Sequence, residues 1–190
     1  MTVTSLLTLP LRSDHKSDCH LRATLSSMNN QDVLTLYKYN QWANAKILNA
    51  ASNITQEQYL ADASFPHGGL RSTLVHTLFA EWIWRKRWQG TSPTVRLKPK
   101  EFPIFESLRS RWAAEEKLLM AFVDDLTDER LDSHFDYTST EGTPYKRILW
   151  HAMAHLVNHG TQHRSEAAAM LTDFGQSPGD VDMIYFLSEI

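Results

Sequence analysis

Trp150-His-Ala-Met-Ala-His-Leu-Val-Asn-His-Gly-Thr-Gln-His-Arg164 carries four of the chain's nine histidines, at positions 151, 155, 159 and 163. Each stands one helical step of four from the next. At about 100° per residue, neighbours in such a series are offset by only about 40° and one turn. Two imidazoles so placed can close on one cation, which makes His-x-x-x-His on a helix a recurrent metal-binding arrangement. Four cannot, because the series drifts by about 120° over its length. The apolar stripe of Ile148, Leu149, Ala152, Met153, Leu156, Ala167, Met170 and Leu171 selects among them. His159 and His163 fall inside that stripe, His155 lies at its margin, and His151 points away. Two core histidines satisfied by hydrogen bonds would fit the same spacing, so both readings stand at this point.

Upstream, three more amphipathic segments surround this helix. The first has the stripe Val33, Leu36, Asn40, Ala43, Ile47 and Ala51, with Asn30 placed to cap it. Asn40 puts an amide on the core side, where it needs a partner from another helix or from something bound between helices. Phe65-Pro-His-Gly-Gly69 reads as a loop. From Leu70 to Gln89 the pattern is apolar around most of its circumference, with Thr77, Glu81 and Arg85 on a narrow polar strip and His76 on the apolar side. A lone histidine there is more often a satisfied core residue than a ligand.

Gly90 to Pro103, with three prolines, predicts a long crossover connection rather than a tight turn. Phe105, Leu108, Trp112, Leu119, Val123 and Leu126 form the next stripe, and Glu115 and Glu116 fall where it should be apolar, so that one could turn inward, although a solvated glutamate at the edge is the preferred reading. Alternating Phe135 and Tyr137 before Ser-Thr-Glu-Gly142 suggest a short two-stranded ribbon. Pro144 suits the first turn of the histidine helix and Gly175 its terminator, with a short last helix through Tyr185 and Phe186.

The expected fold is therefore all-α: a four-helix bundle with a long crossover, a short hairpin before the fourth helix and a short C-terminal helix. Residues 1–28 lack any sustained period and read as a poorly ordered extension, with His15 and His20 incidental and Met28 fitting a translation start. Residues 29–190 read as a single domain. A composition of 42% hydrophobic and 22% charged residues is that of an ordinary soluble globular chain. The single cysteine, Cys19, excludes an internal disulfide framework and suits a reducing, cytoplasmic setting. Thr4–Leu11 is too short, and lacks the basic leader, for a secretory signal. A formal charge of −3 without a Lys/Arg block argues against nucleic-acid and membrane partners. Most of the six tryptophans are expected in the core.

A bundle builds metal sites from inward side chains of facing helices. Two imidazoles from one helix and a third from another leave a coordination position open for water or substrate. Glu166, three residues after His163, is a weak candidate for orienting a ligand or contacting a bound water, and Asn40 a weak supporting candidate. A two-metal carboxylate bundle requires Glu-x-x-His on two helices, and the chain contains no such run.

Three segments resemble the DinB/YfiT-like family of metal-dependent four-helix-bundle proteins. They are Tyr39-Asn-Gln-Trp-Ala-Asn44, Leu74-Val-His-Thr-Leu-Phe-Ala-Glu-Trp-Ile-Trp84 and His155-Leu-Val-Asn-His-Gly-Thr-Gln-His-Arg164, and the likeness runs from about residue 31 to the C-terminus. The resemblance implies a three-histidine divalent-metal site at His76, His159 and His163. It implies a small-molecule substrate, and activities such as isomerisation or S-transfer in which the metal activates a low-molecular-weight thiol. The family often continues His-Arg-Gly-Gln where this chain has His163-Arg-Ser-Glu166, a carboxylate in place of an amide. Ligand softness allows zinc, nickel or iron. A non-catalytic, metal-binding stress-response or interaction module is the competing reading, and the surface-adjacent aromatics suit a homodimer.

Overall fold

The computed structural model describes residues 28–190. The expectations for the N-terminal extension, including His15, Cys19 and His20, fall outside the described residues, and Met28 itself packs against the core. Four long helices dominate: α1 (Asn30–Ala51), α3 (Leu70–Trp88), α4 (Phe105–Asp124) and α6 (Leu149–Asp173). Between them lie the short helices α2 (Gln56–Leu60) and α5 (Asp128–Asp132), a 3₁₀ turn at Pro99–Glu101, and the ribbon β1 (His134–Thr138) and β2 (Pro144–Ile148). The short helix α7 (Met183–Leu187) follows α6. Among the described residues no helix is long and apolar enough to cross a membrane.

Helix α1 starts one residue earlier than its sequence suggested. Asn29, not Asn30, is the cap: its side chain accepts from the Asp32 amide at 3.0 Å, and the Asp32 carboxylate accepts from the Asn29 amide at 3.1 Å. Helix α6 ends at Phe174–Gly175, where Gly175 takes φ +76° and the Gln176 amide returns to the Leu171 carbonyl at 2.8 Å. Pro144 corrects the sequence reading: it opens β2, paired with Thr138, and α6 begins five residues later. A proline lacks an N–H and is tolerated at the first residue of a strand as well as at the first turn of a helix, so its position alone did not decide. The antiparallel ribbon pairs His134 with Ile148 and Tyr137 with Tyr145.

Helix α6 packs against α1 and α3, and α4 packs against the same two, so α1 faces α3 diagonally across the bundle. Two apolar clusters fill the interior. One holds Val33, Tyr37, Trp88, Leu119, Val123, Met153 and Leu156. The other holds Ile47, Leu70, Leu74, Leu78, Leu108, Trp112 and Leu171. Fully buried polar side chains lie between them along the chain: Asn40 and Asn44 on α1, Glu81 on α3, Glu115 on α4, and His163 and Arg164 on α6.

The polar strip of α3 therefore faces inward, with Thr77, Glu81 and Arg85 all buried. Glu115, expected at a solvated edge, is fully buried and accepts both Arg85 Nε and, at 3.0 Å, Arg85 Nη2. A buried carboxylate survives only with such partners. Of the six tryptophans, only Trp88 and Trp112 are fully buried; Trp42, Trp82, Trp84 and Trp150 are half-buried, and Trp42, Trp84 and Trp150 pack against the core.

Candidate metal centre

The stripe of α6 turns His163 inward, where it is 3% exposed, and leaves His159 half-buried one turn earlier. His155 and His151 are exposed. His76 comes from α3, the neighbour of α6, and its Nε2 lies 3.1 Å from Nε2 of His159. Its ring centre is 5.1 Å from that of His159 and 4.7 Å from that of His163, and the last two are 4.4 Å apart. With a metal–nitrogen distance of about 2.0–2.1 Å, about 1.1 Å more to the ring centre and ligand angles of about 90–109°, two imidazoles on one ion have centres roughly 4.4–5.2 Å apart. All three pairs fall at that spacing.

A fourth imidazole joins them. His67, in the segment read from sequence only as a loop, stacks on His76 with ring centres 3.7 Å apart and meets His163 edge-on at 4.9 Å. Ligand nitrogens of His67, His76 and His163 all lie within 4.8 Å of one another. Nitrogen proximity thus groups residues 67, 76 and 163, whereas ring spacing groups 76, 159 and 163. The His67–His76 stack is about 1 Å closer than two imidazoles sharing an ion adopt, so His67 would have to turn slightly to join the other rings on one ion. Either way, a three-histidine group suited to a divalent cation stands at the α3–α6 seam.

Local chemistry keeps these rings in ligand form. Burial first, then the imidazoles of His67, His163 and His159 and the guanidinium of Arg96, pushes His76 down to about 3. Burial, then the imidazoles of His163, His155 and His67, pushes His159 down to about 4. Burial and His163 also hold His67 below the usual histidine value. Neutral imidazole is the form that binds a metal. His163 Nδ1 lies 2.8 Å from Glu166 Oε2. A carboxylate there fixes the Nδ1–H tautomer and leaves Nε2 bare, as a ligating histidine requires.

Asn40, the supporting candidate from the sequence, bonds within a buried polar network. Its amide Nδ2 donates to Glu81 Oε1 at 2.8 Å, and its Oδ1 accepts from Arg164 Nη1 at 2.5 Å. Asn44 repeats the pattern, donating to Glu81 Oε1 at 2.7 Å and accepting from Arg164 Nη1 at 3.0 Å. Trp112 Nε1 donates to Glu81 Oε2 at 2.8 Å, so one residue or more from each long helix enters this network. Burial raises the Glu81 carboxyl, and the two amides, Arg164 and the indole oppose it. The network adjoins the centre through the chain, because Arg164 follows His163 and Gly160 follows His159. A Cβ at Gly160 would lie 2.7 Å from Arg164 Nη1 and 3.0 Å from Asn40 Oδ1, so only glycine admits the guanidinium there.

A groove of about 180 Å³ opens beside the histidines, lined by His67, Val75, His76, Phe79, Arg96 and Leu97. Arg96, on the crossover between α3 and α4, reaches the tip of the ribbon, donating to Thr140 Oγ1 at 2.7 Å and pairing with Glu141. Sequence reasoning missed His67 and Arg96 because both lie on connections without a period. A Pro-His-Gly-Gly run directly before a histidine-bearing helix was the available signal for the first.

A sequence profile of the DinB family matches residues 28–189. The chain belongs to the DinB family. Protein DinB of Bacillus subtilis (strain 168) is 24% identical over 166 residues, covering 81% of this chain and 94% of that protein. Family membership and the histidine cluster together fit a metal-binding DinB protein.

Proposed function

We propose that this DinB-family chain is a divalent-metal-dependent enzyme in which His76, His159 and His163 hold the ion. What carries the reading is the triangle of ring centres at 4.4, 4.7 and 5.1 Å, drawn from two helices and fitted to a shared cation. When bound, zinc, nickel or iron would lower the pKa of a coordinated low-molecular-weight thiol or water, supplying a nucleophile near neutral pH. The protein's own part is to hold three imidazoles, with Glu166 keeping the Nδ1 proton of His163 in place. Val75, Phe79 and Leu97 share the lining of the adjoining groove with the polar His67, Ser72 and Arg96, the last paired with Glu141. S-transfer or isomerisation of a small electrophile suits such a groove.

Metal content of protein purified without affinity tag or chelator is the first test, and less than one ion per three chains would sink the reading. A panel of small thiols with electrophilic acceptors follows, with His163→Ala as the inactive control. His159→Ala separates catalysis from scaffolding. Lost turnover with the fold kept supports the enzyme, and a collapse of stability supports a structural ion in a non-catalytic bundle.

A further inference from the structure

We infer that His67 is a fourth, loop-borne imidazole of the metal centre, occupying the position that a three-histidine site leaves open. This rests on the three-histidine reading above and adds to it a ligand that is not on the bundle. The first support is distance. His67 shares the nitrogen cluster with His76 and His163, and its ring meets His163 at 4.9 Å, the spacing of imidazoles on one ion. Its stack on His76, at 3.7 Å, falls only about 1 Å short of that spacing, within the reach of a side-chain torsion.

The second support is that the backbone is built to present this side chain. Phe65 to Gly68 close a turn, with the Gly68 amide donating to the Phe65 carbonyl at 2.8 Å. Pro66 takes the second position of that turn, where its fixed φ is favourable, and His67 the third. Gly68 follows at φ +85°. Gly69 lies so close to the chain of α2 that a Cβ there would stand 1.8 Å from the Ala61 carbonyl oxygen. Phe65 packs against the apolar cluster that holds Ile47, Leu70 and Trp112. The turn is thus anchored on both sides of His67, which projects half-buried over His76.

The third support is chemical. A ligand on a turn can leave the ion at less cost to the fold than one on α3 or α6, because no helix moves with it. With an ion bound, His67 would be the ligand most readily given up to an incoming thiol. Unlike the bundle histidines, this residue would then govern entry of the substrate as well as contribute to retention of the ion.

The test loads the full chain with zinc alone and counts imidazoles by X-ray absorption, for wild type and His67→Ala. Four imidazoles falling to three, with zinc affinity weakened at least about tenfold in chelator competition, bears the inference out. Three in both proteins overturns it and leaves the three-histidine reading intact. Should His67→Ala fail to fold, the wild-type count alone decides, and His67→Gln replaces it in the competition. Unchanged zinc binding in His163→Ala would instead overturn the underlying site.

Discussion

Replacing Gly160 by alanine sets two known effects against each other. In an exposed helix interior, alanine for glycine gains about 1 kcal/mol. Here the added methyl would sit 2.7 Å from Arg164 Nη1 and 3.0 Å from Asn40 Oδ1. A flexible arginine tip normally yields cheaply, but this one is buried. Its Nη1 donates to Asn40 and Asn44, and its Nη2 donates to Thr161 Oγ1 at 3.0 Å. Moving it forfeits about two hydrogen bonds to a charged group, each worth about 1.5–3 kcal/mol, of which partial relaxation recovers some. A loss of about 3 kcal/mol against the gain of about 1 leaves the protein about 2 kcal/mol less stable. For a chain of this length that lowers the melting temperature by about 4–8 °C. Thermal unfolding of the ion-free variant, followed by circular dichroism, measures it. In an Arg164→Met background the same alanine should become neutral or stabilising, because its main obstacle is gone. A Gly160→Ala protein that melts at or above the wild-type temperature refutes the argument.

Three further outcomes follow from the centre. Glu166→Ala should weaken zinc binding about 10–100-fold by freeing the His163 tautomer, while Glu166→Gln, which keeps an acceptor oxygen, should lose less. Chelator competition reads both, and equal losses would contradict the orienting role. For the ion-free protein, stability should fall on acidification. His76 and His159 titrate at about 3 and about 4 when folded but near 6.5 when unfolded, so the unfolded chain takes up protons first as the pH drops. Stability present above pH 6.5 is then lost progressively towards pH 4 and 3, and melts between pH 7.5 and 5 that rise on acidification would oppose this. Stripping a bound ion should remove about 2.7 kcal/mol of stability, relative to free metal at a hundred times its Kd, and lower the melting temperature accordingly. Identical melts with and without chelator would mean that no ion binds the native state.

The bundle was legible because its helices repeat apolar residues at helical spacing and glycines and prolines interrupt them. Leu108, Trp112, Leu119 and Val123 fell where α4 needed them, and Gly175 ends α6. The periodicity also put His163 inside and His151 outside. A helical wheel, however, locates a polar strip without saying what it faces. Glu81, Arg85 and Glu115 look the same on the wheel whether they meet water or one another, and only the packing of α3 on α4 and α6 decides. His67 was illegible for a different reason: a turn residue has no period, and its distance to His76 is set by the loop's path.

The buried polar layer between the two apolar clusters acts as an alignment key. Sliding any long helix by one turn would carry a guanidinium or a carboxylate into hydrocarbon, an error of several kcal/mol, whereas leucines and valines tolerate such a slip far better. The vertical offset between residues 76 and 163 is therefore set by charge rather than by the shapes of neighbouring aliphatic side chains. Hydrophobic residues at either end can be exchanged for others of similar volume while the imidazoles stay aligned.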